Sequence, residues 1–321
     1  MKIRSCSICR FEGPHQEHSV REMMIGFRST FTYSQCSNCG CLQLIDPPLT
    51  MENFYPNDYY SLKSHHPQKG GLRKWLKNRK NAYALWGNDS IGRLVNAIKP
   101  NKSISLLTGL HLSKEHAILD VGCGTGLLLN DLKDLGFKNV KGIDPYISNT
   151  LQYSNGLVIE KKHLEEMEGH WDLIMFHHSL EHMPDPIRAM KKVHQLLNPG
   201  GHCLVRVPVA DSFAWEKYKE NWVQIDAPRH YHIFTNKSMH WIANWCELEL
   251  IHHICDSTGF AFWGSEQYVN DIPLHDKRSH WMNPDQSLFA KKQLQEFEKR
   301  ARELNAEGKG DARAYFFRKK K

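Results

Sequence analysis

The chain has 321 residues, 40% of them hydrophobic and 24% charged, a composition typical of folded globular proteins and not of disordered ones. Its length exceeds the usual size of one domain, which predicts a core domain with additions. No apolar run reaches the roughly 18 residues that a membrane-spanning helix needs, and the N-terminal segment lacks the apolar centre of a signal peptide. We therefore expect a cytoplasmic protein without a membrane span.

The formal net charge is +7 at pH 7, and much of the excess lies in residues 73–80 and 318–321. Basic segments of this kind can contact nucleic acid, an anionic membrane surface or a nucleotide-linked substrate. They are also typical of a solvated helix face and a frayed terminus, which is the interpretation that we favour here.

Two pairs of cysteines lie near the N-terminus, Cys6-x-x-Cys9 and Cys36-x-x-Cys39, with 26 residues between the pairs. Each pair has the spacing of a knuckle in a zinc ribbon, in which four thiolates close a tetrahedron. Residues 1–46 are therefore predicted to form a zinc-ribbon-like module around a structural zinc ion, with Cys41 as a spare or substitute ligand. Two turns that bind no metal are the alternative.

A break at Asp46-Pro47-Pro48 separates this module from an aromatic and helical segment, residues 47–110. Apolar residues at helical spacing predict helices in 72–86 and 91–98, which we expect to cap the cofactor cleft of the following domain. Tyr55, Tyr59 and Tyr60 are candidate substrate residues, because rings with hydroxyl groups can stack on a sugar and hydrogen-bond at its edge. Alternatively, they only attach the module to the core.

From residue 111 onward, strands alternate with helices, which predicts a parallel α/β sheet with helices on both faces. The strands are expected near 117–121, 139–143, 157–160, 171–176 and 202–207, with a last antiparallel strand at 312–317. The first strand ends in Asp120 and leads into Gly122, Gly124 and Gly126, and the second strand ends in Asp144. Long inserts are predicted at 208–236 and 256–285.

Four ordered blocks in this part, 120–126, 142–145, 171–186 and 196–201, resemble class I S-adenosylmethionine-dependent methyltransferases. The resemblance implies a Rossmann-like seven-stranded sheet and S-adenosylmethionine as the cofactor. It implies that the glycine loop holds the amino-acid portion of the cofactor and that Asp144 binds the ribose hydroxyls. The residues implied to bind the cofactor are Asp120, Gly122, Cys123, Gly124, Gly126, Asp144, Pro145 and His177.

Histidines follow the fourth predicted strand at 177, 178 and 182. His178 and His182 have the i, i+4 spacing of metal ligands on a helix. The stretch also resembles the corresponding loop of the quinone-biosynthesis methyltransferases, where such residues line the cofactor cleft. We favour this second interpretation and expect His177 or His178 to contact the cofactor or the acceptor.

The block 224–235 lies in the first insert and resembles methyltransferases of bacterial polysaccharide gene clusters. A fainter likeness is to zinc-containing sugar C-methyltransferases, which have a Glu-His pair where this chain has Arg229-His230. Histidine titrates close to neutral pH, so His230 is predicted to be the general base. Alternatively, His230 only hydrogen-bonds within a folded loop, and His178 or a tyrosine is the base. Arg229 is predicted to hold a phosphate or carboxylate of the substrate.

These features predict a methyltransferase that acts on a small molecule or glycan precursor, such as a sugar or sugar nucleotide. One alternative is an RNA methyltransferase that uses the zinc module and the basic helix to hold RNA, although nucleic acid is not the partner we expect. Another is an inactive scaffold that binds the cofactor. Which atom is methylated and the oligomeric state stay open.

Overall fold

The structure, a computed structural model, describes residues 2–55 and 71–321. The described residues form two compact units. The unit that contains the N-terminal cysteines, here called the cysteine unit, comprises residues 2–55, 178–191 and 205–317. The glycine-loop unit comprises residues 71–177, 192–204 and 318–321. Among the described residues, no helix has both the length and the apolar character needed to cross a bilayer.

In chain order the strands are β1 (Lys2–Ser5), β2 (Glu12–Arg21), β3 (Thr30–Cys36), β4 (Leu42–Ile45), β5 (Ile118–Val121), β6 (Val140–Ile143), β7 (Leu151–Gln152), β8 (Val158–Glu160), β9 (Trp171–His177), β10 (Leu197–Pro208), β11 (His232–Ile233), β12 (Leu248–Cys255) and β13 (Ala312–Lys319). The α-helices are α1 (Leu72–Trp86), α2 (Ser90–Ile98), α3 (Lys102–Ser105), α4 (Leu127–Asp134), α5 (Pro186–Leu196), α6 (Phe213–Tyr218), α7 (Asn236–Trp245), α8 (Phe260–Val269) and α9 (Lys291–Ala306).

The glycine-loop unit is built on strands in the order β7-β8-β6-β5-β9-β10, and β10 contributes its first part, up to Leu204. Strand β5 lies between β6 and β9 and is parallel to both, with Ile118 paired to Val140 on one side and to Leu173 on the other. All four residues of β5 are buried, as expected for a central strand of a parallel sheet. The predicted α/β Rossmann-like fold is confirmed, and the short β7 adds an antiparallel edge strand.

The cysteine unit contains a separate antiparallel sheet in the order β1-β2-β3-β4-β11. Strand β2 alternates exposed and buried residues, the pattern of a sheet with one solvated face. The last strand, β11, belongs to the predicted insert 208–236 and pairs with β4 through His232 and Gln43. This N-terminal sheet is therefore completed by residues almost two hundred positions away in sequence.

The same unit contains the strand order β10-β13-β12, and it includes the strand predicted at 312–317. Its apolar core joins Tyr33, Trp215 and Trp222 with Phe262, a residue of α8. Helix α8 lies within the segment 256–285, for which the sequence predicts a long insert. The division of the chain after residues 46 and 110 stays a prediction.

Candidate functional site

The glycine loop follows β5 directly and leads into α4. Gly122, Gly124 and Gly126 all have left-handed backbone angles, with φ of 72°, 54° and 74°. A side chain at Gly126 would also collide with the core, because a Cβ atom there would lie 2.5 Å from Ile159 Cδ1. Only glycine tolerates this combination of φ and space, so the loop exposes backbone where a side chain would otherwise stand. The backbone N–H groups at the start of α4 are thereby open to a ligand.

Asp144 follows β6 and fixes the glycine loop. Its Oδ2 accepts a hydrogen bond from Gly124 N at 2.8 Å, and its Oδ1 accepts one from Tyr146 N at 2.8 Å. Burial raises the pKa of Asp144, while these backbone N–H groups lower it. Each carboxylate oxygen keeps further acceptor capacity after its backbone bond. The carboxylate is therefore held rigidly and can accept hydrogen bonds from a pair of neighbouring hydroxyl groups.

Asp120 is the second buried carboxyl group of this loop, with 3% of its surface exposed. Within the described part of the chain, its Oδ1 has no hydrogen-bond partner. Burial and the negative charge of Asp144 raise the pKa of Asp120 to about 8. A strongly raised pKa in a loop built for close approach is typical of a functional site. A cationic ligand group beside Asp120 would lower this pKa again, because an adjacent positive charge stabilises the ionised carboxylate.

The other predicted cofactor residues lie around the same loop. Cys123 packs against β6, since a Cβ atom on Gly142 would lie 2.4 Å from its Sγ. Pro145 is half-buried next to Asp144, and His177 is the last residue of β9. Because Met175 of β9 pairs with Asp120 of β5, His177 lies at the carboxyl edge of the parallel strands, where ligands of such sheets bind.

Together, the glycine loop and the two carboxyl groups fit S-adenosylmethionine. The left-handed glycines leave room for a cofactor against the backbone. Asp144 suits the two ribose hydroxyls, and Asp120 suits a positively charged group. All of these residues lie in the glycine-loop unit, and the cofactor-binding set that the sequence resemblance implies stays a prediction.

The four predicted zinc ligands come together in the cysteine unit. The Sγ atoms of Cys6, Cys9, Cys36 and Cys39 all lie within 4.8 Å of one another, and all four residues are buried. The Sγ atoms of Cys6 and Cys39, like those of Cys9 and Cys36, are 3.7 Å apart. A tetrahedral zinc with Zn–S bonds of about 2.3 Å requires S···S distances of about 3.8 Å. The donor set therefore fits zinc.

Side chains around the cysteines complete this arrangement. Gln43 Nε2 donates to Cys6 Sγ at 3.1 Å, and Asn38 Nδ2 donates to Cys9 Sγ at 3.5 Å. Hydrogen bonds of this kind orient thiolate ligands. Cys41 is fully buried, but its Sγ donates to the backbone oxygen of Leu42 and does not belong to the four-sulfur group. Four thiolates leave no open position, which is typical of a structural site.

A second buried polar cluster contains Glu181, His182 and His230, whose potential ligand atoms lie within 4.8 Å of one another. The Glu181 side chain is 0% exposed, and neither of its carboxylate oxygens accepts a hydrogen bond from the described residues. His230 Nε2 lies 4.0 Å from Glu181 Oε1 and 3.8 Å from Asp226 Oδ2. Groups arranged like this can share a proton or surround a cation.

Backbone carbonyls fix the tautomers of both histidines. His230 Nδ1 lies 2.9 Å from Gln224 O, and His182 Nδ1 lies 3.0 Å from Arg229 O. A carbonyl only accepts, so each Nδ1 carries the hydrogen and each Nε2 keeps its lone pair. Burial lowers the pKa of His230, opposed by the charges of Asp226 and Glu181. Burial also lowers the pKa of His182, to about 4. Both imidazoles are therefore neutral at pH 7.

His178 is close to the same glutamate, with its Nδ1 3.5 Å from Glu181 Oε1. Its backbone is left-handed, with φ of 56°, and its N–H donates to Arg206 O at 2.8 Å. Burial and the Arg206 charge lower the pKa of His178 to about 3. The two predicted proton acceptors, His178 and His230, thus flank one carboxylate.

Arg229 is completely buried and binds other parts of the same unit. Its Nη2 donates to Glu22 Oε1 at 2.9 Å and to Asp226 Oδ1 at 2.6 Å, and its Nη1 donates to Phe54 O. Glu22 in turn accepts hydrogen bonds from the backbone of residues 25–27. A guanidinium enclosed by two carboxylates holds the insert on the N-terminal sheet, whereas the sequence prediction placed it on the substrate.

Of the predicted substrate tyrosines, Tyr55 is half-buried, and its hydroxyl lies 3.0 Å from His182 Nδ1. Tyr59 and Tyr60 lie outside the described residues. The structure adds Glu22, Glu181 and Asp226, which sequence reasoning did not single out. Glu181 could have been recognised from the sequence, since it lies among the histidines of 177–182. The single acids at 22 and 226 belong to no motif.

Comparison with known proteins gives the family. A family model for a methyltransferase domain matches residues 88–253, which is just over half of the chain. A ubiquinone biosynthesis O-methyltransferase of Pseudomonas aeruginosa (strain UCBPP-PA14) is 30% identical over 150 residues, covering 41% of this chain and 63% of the relative. One from Yersinia pestis (strain Pestoides F) is 28% identical over 112 residues, covering 32% and 46%. The chain thus spans less than two thirds of the length of either relative.

Two solved structures are also similar. The cyclopropane synthase MmaA2 from Mycobacterium tuberculosis is 14% identical, covering 68% of this chain and 84% of its own, with a TM-score of 0.45. A putative sarcosine dimethylglycine methyltransferase from Galdieria sulphuraria is 14% identical, covering 76% and 98%, also with a TM-score of 0.45. On the match of the family model, the chain belongs to the methyltransferase domain family.

Proposed function

We propose that the protein is an S-adenosylmethionine-dependent methyltransferase of a small molecule. The observation that carries this proposal is the glycine loop after β5, tied by Gly124 N to the buried carboxylate of Asp144. When bound, the cofactor supplies a methyl group on a positively charged sulfur, which leaves as a neutral thioether. The protein then has to align the acceptor and remove a proton from it.

The residues of the glycine-loop unit divide the binding of the cofactor between them. Asp144 accepts hydrogen bonds from the ribose hydroxyls, because both of its oxygens are already oriented by backbone N–H groups. Asp120 balances the positive charge of the cofactor. The glycines leave room for the amino-acid portion of the cofactor against the loop backbone. His177 and Pro145 are assigned to the same cleft. In the cysteine unit, we propose that the four cysteines hold one structural zinc.

We assign proton removal to His230. Its Nε2 has a lone pair and no hydrogen-bond partner among the described residues, so it can accept a proton directly. The imidazolium that forms is then stabilised by two carboxylates, Glu181 and Asp226, each about 4 Å away. His178 is the second candidate, since it lies 3.5 Å from the same Glu181.

For the acceptor, we propose an oxygen nucleophile on a sugar or sugar nucleotide. The support for oxygen is that the curated relatives are named O-methyltransferases. The support for a sugar is the resemblance of residues 224–235 to methyltransferases of polysaccharide gene clusters, together with the hydroxyl of Tyr55 beside His182. Turnover of a nucleotide-sugar panel, measured by release of S-adenosylhomocysteine, tests this choice. Turnover of phenols or RNA alone would contradict it.

Binding of the cofactor is tested by calorimetry with S-adenosylhomocysteine and its 2′-deoxy and 3′-deoxy analogues. Asp144→Ala should weaken the full ligand at least tenfold, about 1.4 kcal/mol. The same substitution should weaken the deoxy analogues less, because the bond it removes is already missing there. Equal losses for all three ligands would mean that Asp144 acts only by holding Gly124. Glu165→Ala, an exposed acid of the same unit, is the control.

The role of His230 is tested once an acceptor is found. At saturating cofactor, His230→Ala should lower kcat by roughly 10²–10⁴-fold, the usual contribution of a general base. The wild-type rate should rise with pH as His230 loses its proton, and this dependence should disappear in the variant. A loss under fivefold, with a large loss in His178→Ala instead, would transfer the role to His178.

A further inference from the structure

A stripe of large apolar side chains is exposed on α2. Ile91, Leu94 and Ile98 have 39%, 72% and 87% of their surfaces exposed. Their spacing of i, i+3 and i+7 aligns them on one face of the helix. On another face Gly92 packs closely on α1, since a Cβ atom there would lie 2.0 Å from Arg79 O. The apolar stripe therefore points away from the body of its unit.

Helix α1 continues this surface. Leu72 and Trp75 are 71% and 46% exposed and share one face of α1 with Arg79. That face is the one on which α2 packs, because Gly92 approaches Arg79 and Tyr83. The buried residues of α1 lie on its opposite side. The exposed apolar residues of the two helices thus lie on the same side of the pair.

The same helices carry the excess positive charge of the protein. Residues 71–102 contain eight lysines and arginines and one acid, a net charge of +7, which equals the formal net charge of the whole chain. Two of these lysines pair with aspartates of α4. Arg93, Lys99 and Lys102 are exposed and have no ion pair among the described residues. They flank the apolar stripe of α2 at its middle and its C-terminal end.

We propose that this face of α1 and α2 docks on an anionic lipid surface. Apolar side chains flanked by lysines, arginines and a tryptophan are the features by which helices lie in the interface of a membrane. RNA would use the positive charges but would leave Leu94 and Ile98 in water. A copy of the same chain would bring two basic faces together. The contact is peripheral, and it goes beyond the proposed methyl transfer without depending on it.

The test is co-sedimentation of the full chain with extruded vesicles, without cofactor or acceptor. The protein should bind vesicles of phosphatidylcholine with 30% phosphatidylglycerol at low salt, and it should bind pure phosphatidylcholine vesicles far less. The double substitution Leu94→Gln, Ile98→Gln should lower the partition coefficient at least tenfold, since glutamine keeps the helix but removes both apolar anchors. Leu288→Gln, an exposed leucine outside these helices, should bind like the wild type.

Circular dichroism and cofactor calorimetry confirm that the double variant is folded. Wild-type protein that fails to bind the anionic vesicles at low salt would overturn the proposal, as would a folded double variant that binds them unchanged. Dimers that dissociate in the double variant, with no vesicle binding, would assign the face to self-association. Tight RNA binding that the apolar substitutions do not affect, again without vesicle binding, would assign it to nucleic acid. Each result is independent of whether the protein transfers a methyl group.

Discussion

Replacing Arg229 by methionine separates a structural from a substrate-binding role for this residue. Methionine keeps an unbranched side chain but removes the guanidinium, which donates to Glu22, Asp226 and the backbone oxygen of Phe54. The side chains of Arg229 and Glu22 are both 0% exposed. We therefore expect the variant to be less stable, whether or not an acceptor is present.

The magnitude follows from the burial of the ion pairs. Removing one partner of a buried pair destabilises a protein by about 3–5 kcal/mol, because the remaining charge stays buried without its counterion. Glu22 retains hydrogen bonds from three backbone N–H groups, which limits the loss on that side. For a cooperative unit of 150–250 residues, 1 kcal/mol corresponds to about 2–4 °C. The melting temperature should therefore fall by about 6–20 °C.

The loss of stability in Arg229→Met should also depend on pH. In the wild type, burial raises the pKa of Asp226, but Arg229 outweighs this and holds it below its usual value. The stabilisation is thus present above about pH 4 and is lost as the pH falls through the lowered pKa. Without the guanidinium, the largest influence that lowers the pKa of Asp226 is lost, and this pKa should rise. The stability difference should then be larger at pH 7 than at pH 4.

Thermal melts of zinc-loaded protein at both pH values measure this. The matched control is Arg278→Met, which removes an arginine paired with Asp276 on the exposed surface of the same unit. That variant should melt close to the wild type, since exposed ion pairs contribute little. If Arg229→Met melted like the wild type but lost affinity for the acceptor, the structural reasoning would be refuted. Arg229 would then be a substrate residue, as the sequence predicted.

Two further predictions concern the metal and the glycine loop. Protein purified without chelator should hold about one equivalent of zinc, which Cys36→Ser should lose and Cys41→Ser should keep; equal zinc content in the two variants would contradict the ligand set. Because burial and Asp144 raise the pKa of Asp120 to about 8, stability should fall as the pH rises from about 4 to 8. Asp120→Asn should flatten that fall in melting temperature, and parallel curves would show that Asp120 does not cause it.

The parts of the molecule that sequence could predict are those with local signals. An apolar strand that ends in Asp120 and runs into alternating glycines specifies its own turn, since each glycine meets a backbone angle that other residues avoid. The two C-x-x-C pairs likewise specify two knuckles. Cys6 approaches Cys39 and Cys9 approaches Cys36, which is the arrangement that one shared metal would require.

The interactions that sequence could not predict join residues far apart in the chain. Glu22 and Arg229 are separated by 207 positions, and an isolated glutamate near a strand end has many possible partners. Strand β11 has two residues, too few for any alternation to be visible. Arg229 lies shortly before this strand, and its charge in the sequence suggests a substrate contact. Only the location of Glu22 and Asp226 in the structure indicates a structural role.

Within the cysteine unit, hydrogen bonds connect the N-terminal sheet to the segment that contains His230, the predicted base. Tyr33 of β3 donates its hydroxyl hydrogen to the backbone oxygen of His230 at 2.6 Å. Further along the insert, Thr235 Oγ1 donates to the backbone oxygen of Cys39, one of the four clustered cysteines, at 2.5 Å. The segment between these contacts also carries β11. A structural zinc would therefore act on catalysis through position, because the knuckle that it closes anchors the segment that presents His230 to Glu181.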